Sequence, residues 1–184
     1  MKQIIPEKSS EKVAKFLNKT SLHKRDFAEM IGVTLSYVYN LIDETVPFST
    51  RGTTIERIAT VMEVSPEEFD EYRIPQEPIL IDESVEIIKD YLKENKLSVV
   101  NFLKSFPRKK RLDMVDVLRG AYPLPIDYKE LSLIGKTLNM PNEELYKIWE
   151  TRLKQVLESA GMNIYSNSTL VNSMFDCAKK HILG

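Results

Sequence analysis

Apolar residues recur along the chain at three- and four-residue spacing, as in Val13, Phe16 and Leu17 or in Ile55, Ile58, Val61 and Met62. That is the period of a helix, and the alternation of β-branched residues that marks a strand is almost nowhere to be found. The pattern predicts an all-α protein. Helix starts are signalled by Ser9 and Ser10, by Thr53 and Thr54 ahead of Ile55, and by Asp82-Glu83-Ser84. Ser65-Pro66-Glu67-Glu68 is sharper, with a Ser cap, Pro at the first helical position and acids in the first turn. Asn139-Met140-Pro141-Asn142-Glu143-Glu144 reads the same way. Gly161 suits the end of a helix, followed by a polar stretch from Asn163 to Ser168 and a last helix from about Thr169 to Ile182.

Two segments flanking Pro75–Pro78 repeat one another. At an offset of 75, Leu17, Leu22 and Phe27 fall on Leu92, Leu97 and Phe102. At an offset of 76, Pro47, Ile58, Glu67 and Glu68 fall on Pro123, Ile134, Glu143 and Glu144, while Val38, Leu41 and Phe69 fall on Met114, Val117 and Leu145. Retention of both apolar phase and order points to duplication. Prolines remove backbone donors and bias the residue before them toward extended geometry, so the boundary is expected there. The expected organisation is a first domain over 1–74, a Pro-containing linker over 75–83, a second and degenerate copy over 84–150, and a helical extension over 151–184.

The chemistry of the first copy lies in Leu22 to Ile42. Phe27, Ala28, Ile31, Val33, Val38 and Leu41 mark buried positions, with Ala28 small where another helix must pass close. Gly32 sits where a tight turn requires positive φ. Thr34 is placed to cap the next helix, leaving Leu35, Ser36, Tyr37 and Asn40 partly outward. This is a helix-turn-helix pattern, in which the second helix offers its first residues to the major groove. Over about Val13 to Tyr72, including the trailing block from Thr54 to Phe69, the sequence resembles the lambda-repressor-like helix-turn-helix family that includes Cro and the phage repressors. The resemblance implies a five-helix domain that binds double-stranded DNA, with Lys24 near the phosphates and Thr34, Leu35, Ser36, Tyr37 and Asn40 at or facing the bases.

The second copy lacks the small Ala–Gly turn and reads Ser105-Phe106-Pro107-Arg108-Lys109-Lys110-Arg111-Leu112. From Lys96 to Arg119, seven basic residues stand against two acidic ones, whereas from Lys19 to Ile42 the excess is three against two. Pro107 suits the first position of a helix. Cations at a helix start oppose the macrodipole, so Arg108, Lys109, Lys110 and Arg111 point to an anionic partner, most simply phosphate. The division of labour expected is base readout from the first copy and phosphate contact from the second.

The whole chain, 184 residues with 26 Lys+Arg and 27 Asp+Glu, carries a formal charge of −1. That argues against a protein that simply coats nucleic acid without excluding local contact. One cysteine, Cys177, rules out an intrachain disulfide and fits a reducing, cytoplasmic setting. It reads as a small buried hydrophobe. Two histidines, His23 and His181, and one thiol do not make a zinc-ligand pattern, and no metal or other cofactor is expected. There is no Gly-rich phosphate loop and no nucleophile–base pair, so no catalytic residue is assigned and an enzyme is not expected. No apolar run is long enough for a membrane span. The leading reading is a transcription regulator. The alternative is a helical protein-interaction module on the same scaffold, binding another regulator or a polymerase component. The tail carries stripes at Leu153, Val156, Leu157 and Ala160 and at Leu170, Val171, Met174, Phe175 and Ala178. These either pack on the second copy or form a homodimer surface.

Overall fold

A computed structural model describes residues 7–48, 50–74, 82–164 and 168–183. Among them there are ten α-helices, one short 3-10 turn and no strand, as the helical period requires. The helices are α1 (Ser9–Thr20), α2 (Lys24–Ile31), α3 (Leu35–Ile42), α4 (Gly52–Met62), α5 (Glu83–Glu94), α6 (Val99–Lys104), α7 (Arg108–Leu118), α8 (Tyr128–Leu138), α9 (Asn142–Ser159) and α10 (Ser168–Leu183), with the 3-10 turn at Pro66–Glu68.

The order of elements carries the offset seen in the sequence. Helix α4 and helix α8 begin and end 76 residues apart, and α2 and α6 begin 75 apart. Left-handed residues close the preceding helices at equivalent places, Ser21 with Lys96 and Glu63 with Asn139. The same backbone bonds follow: Leu22 N–H to Leu17 O matches Leu97 N–H to Leu92 O, and Val64 N–H to Ala59 O matches Met140 N–H to Gly135 O.

Several local signals fall where expected. Asp82 caps α5 by accepting from the Ser84 N–H, and Gly161 (φ 77°) donates to Glu158 O just past α9. Others are displaced. Ser9 and Ser10 are the first residues of α1, behind Lys8 as N-cap, and Thr53 and Thr54 lie inside α4, behind Arg51. Asn139 ends α8 in the left-handed region, and Pro141 is the N-cap of α9. Pro107 is likewise the N-cap of α7, one place earlier than expected. Ser65 and Glu68 do form a capping box, but around a single 3-10 turn.

The compact units depart from the expected domains. One comprises the first segment together with Val99–Arg119, and the other comprises Ile79–Ser98 with Gly120–Gly184. The expected second domain at 84–150 is therefore divided, and α9 runs unbroken across the expected boundary at 150. Of the expected linker, Pro75–Ile81 lie outside the described residues.

In the first unit, α2 packs against α3, α4 and α7, and α4 also meets α6 and α7. Its core includes Val13, Phe27, Met30, Ile31, Val38, Ile55, Ile58 and Phe69, joined by Leu103, Val115 and Leu118. The reason for the altered division is apolar area. Helices α6 and α7 bury Val100, Phe102, Leu103, Met114, Val115, Val117 and Leu118, and α7 places that surface on α2 and α4. Burial of each large aliphatic side chain contributes about 1.5–3 kcal/mol.

In the second unit, α9 packs against α5, α8 and α10. Gly135 lets α8 and α9 approach, since a Cβ there would stand 3.0 Å from Leu145 Cδ2. Buried Asp82 ties the unit together: its Oδ1 accepts from Ser84 N and its Oδ2 from Leu124 N at 2.8 Å. Arg152 Nε donates to Leu124 O at 2.8 Å.

Candidate nucleic-acid interface

The local geometry of α2 and α3 follows from Gly32, Thr34 and the buried faces of the two helices. Gly32 takes φ 72° at the end of α2, and its N–H donates to Ala28 O. A side chain in this region is strained, and an added Cβ would also stand 3.0 Å from both Leu112 methyl carbons. Thr34 then caps α3, its Oγ1 accepting from the Tyr37 N–H at 3.2 Å. Phe27, Ala28, Ile31, Val38 and Leu41 are buried, which fixes the angle between the two helices by packing.

The opposite face of α3 is open. Leu35 and Tyr39 are 41% and 54% exposed, and Thr34, Ser36 and Asn40 are exposed beside them. Tyr37 is half-buried. Tyr39 is more exposed than Leu35. Lys24 Nζ lies over its ring, 5.5 Å from the centroid. A cation over an aromatic face is attracted by the ring quadrupole, so Lys24 is held beside α3. The periodicity of α3, with Val38 and Leu41 inward, carried the signal that Tyr39 is outward. His23 precedes α2 as its N-cap through the backbone alone, and it is exposed.

The basic cluster is split. Arg111 is turned inward and only 9% exposed. Its Nη1 donates to Asp26 Oδ1 at 3.0 Å, and its Nε and Nη2 donate to Phe106 O and Lys104 O at 3.3 Å. This corrects the expectation that all four cations face a phosphate: Arg111 is a strut between α7 and α2. It is inward because Leu112, Val115 and Leu118 lay the same side of α7 on the first unit. Arg108, Lys109 and Lys110 are exposed.

A second group of ions fastens α7 to α4. Arg57 grips Asp116 with two bonds, Nε to Oδ1 and Nη2 to Oδ2, both 2.8 Å. Arg119 joins Asp116 at 2.7 Å and Glu56 at 2.8 Å, and Tyr72 Oη donates to Glu56 at 2.9 Å. Burial pushes the Asp116 carboxyl up, but the hydrogen bonds and charges of Arg57 and Arg119 outweigh it and hold the group below its ordinary value. Burial first, and then the bond to Glu56, push the Tyr72 hydroxyl up to about 12.

Val171 and Phe175 of α10 pack on Leu153 of α9, with Trp149, Leu157, Met162 and Ile164 around them. Leu170 and Met174 are exposed. Cys177 is exposed as well, not buried. At 100° per residue it lies about 200° round the helix from Phe175. Among the described residues no group of three His, Cys, Asp or Glu could hold a metal, and no helix is long and apolar enough to cross a membrane.

No family model matches the chain, and no curated protein and no solved structure matches it.

Proposed function

We propose that the chain is a transcription regulator that binds double-stranded DNA through α2, the Gly32 turn and α3. The observation that carries this reading is the open face of α3 itself. A rigidly packed helix presents hydroxyl, amide and apolar groups from Ser36, Asn40 and Leu35, with Lys24 held at its edge. Amides and hydroxyls bond base edges, apolar side chains meet the thymine methyl, and an ammonium suits a phosphate. In this reading the two repeats do not share the work as two reading heads, because one side of α7 is occupied inside the first unit. A reducing compartment, cytoplasmic in this reading, suits its single thiol.

The test is fluorescence anisotropy of a labelled random duplex at low and moderate salt, followed by selection of bound sequences from random DNA. Binding that weakens as salt rises is the expected result, and Asn40→Ala is expected to relax the selected sequence more than it weakens random binding.

One observation favours a second reading, a protein partner on the same face. Helix α3 carries no charged residue, and Leu35 and Tyr39 give it an apolar centre of the kind interfaces use. The absence of any salt-sensitive DNA binding selects this alternative.

A further inference from the structure

The beginnings of α2, α3 and α7 line an open cleft of about 440 Å³, with Lys24, Arg25, Asp26, Leu35, Tyr39 and Arg108 on its walls. Arg108 comes from the second repeat, at least 69 residues along the chain from the others. Four cations (Lys24, Arg25, Arg108 and Arg111) gather here around two carboxylates, Asp26 and Glu29. The cluster therefore holds two more positive charges than negative ones. An uncompensated surplus of this kind attracts an anion.

The carboxylates are not shared evenly. Arg111 holds Asp26 at hydrogen-bonding distance and is fixed by two carbonyls besides. Arg108 stands 3.8 Å from Asp26 and 3.5 Å from Glu29, beyond good hydrogen-bond geometry, and its side chain is 56% exposed. Arg25 is similarly loose, 3.5 Å from Glu29 and 70% exposed. Lys24 leans on Tyr39. Arg111 is thus committed to the fold, while Arg108 and Lys24 are free to turn toward the cleft at little cost.

We propose that this cleft grips a backbone phosphate of the DNA that α3 reads, and that Arg108 is a phosphate ligand delivered to the first repeat by the second. The inference rests on the DNA-binding reading. A phosphodiester oxygen pair replaces the loose 3.5 Å ion pair between Arg108 and Glu29 with a forked guanidinium–phosphate pair. Leu35 and Tyr39 form the apolar wall against which the adjoining sugar lies. The second repeat then contributes to recognition without reading a base: Arg111 fixes α7 on α2, and that attachment brings Arg108 to the cleft.

The test uses the full chain and the same random duplex across a salt series, comparing wild type with Arg108→Ala, Glu29→Gln and, as a control on α5 of the second unit, Lys93→Ala. The expected result is about tenfold weaker binding at low salt for R108A, the loss of one charge-assisted contact. Its slope of log affinity against log salt should fall by about 0.9, the loss of one phosphate contact. E29Q, which removes a competitor for Arg108, is expected to bind more tightly, and K93A is expected to match wild type. If wild type binds and both R108A and E29Q match it in affinity and slope, the phosphate role of Arg108 is overturned and the reading through α3 stands. If wild type shows no salt-sensitive binding, the DNA reading itself falls and takes this inference with it.

Discussion

Arg111 and Asp26, 85 residues apart in the chain, place a guanidinium nitrogen 3.0 Å from a carboxylate oxygen and so bind the second repeat's α7 to the first repeat's α2. Both side chains are largely withdrawn from water. A charge left without its partner in such a place is costly, so Arg111→Ala is expected to destabilise the protein by about 3 kcal/mol. Lys109→Ala, on the exposed side of the same turn, is expected to change stability by less than about 0.5 kcal/mol. Urea unfolding of the two variants beside wild type checks the difference.

Gly32 and Leu112 form a second link between the repeats. Gly32→Ala should cost about 1–2 kcal/mol from the left-handed backbone alone. It should cost more because the new methyl meets both Leu112 terminal carbons at 3.0 Å. In a Leu112→Ala background only the backbone share remains. A double-mutant cycle on unfolding free energies is expected to return a coupling of at least about 0.5 kcal/mol between the two sites. Additive effects would show that α7 does not press on the turn.

Asp116 makes stability depend on acid. Its carboxyl is held below the ordinary value of 3.8 in the folded protein, so its ionised form favours folding. The contribution is complete above that value and is lost as pH falls through the lower folded one. The urea midpoint is expected to drop below about pH 4. Asp116→Asn should be less stable at neutral pH, where Arg57 and Arg119 no longer meet the Asp116 charge, and should show a shallower decline in acid. A pH series of urea midpoints for both proteins reads the two slopes.

Cys177 offers a direct check on the orientation of α10. It is exposed, so the native protein is expected to react with Ellman's reagent without denaturant, to a stoichiometry of one thiol per chain. A thiol that reacts only after unfolding would place Cys177 against α9 and require α10 to be rotated.

The sequence alone settled the all-helical class, several helix ends and the turn between α2 and α3. These features are local: a helix is closed by bonds between residues four apart, and Gly32, Thr34, Asp82 and Gly161 act on neighbours a few positions away. It also determined that a pattern repeats at 75–76 residues. What it left undecided is which copy's apolar face packs on which. Equivalent helices share one apolar phase, so α6 and α7 suit either repeat, and a hydrophobic stripe has no direction that names its partner. Tertiary structure settles this by burying the apolar faces of α6 and α7 in the first unit, where ion pairs between residues 59 and 85 positions apart, Arg57 with Asp116 and Arg111 with Asp26, fix the match. The same choice divided the basic cluster. Four adjacent cations look alike in a sequence, but the turn of α7 buries Arg111 against a carboxylate and leaves Arg108 at the edge of a cleft.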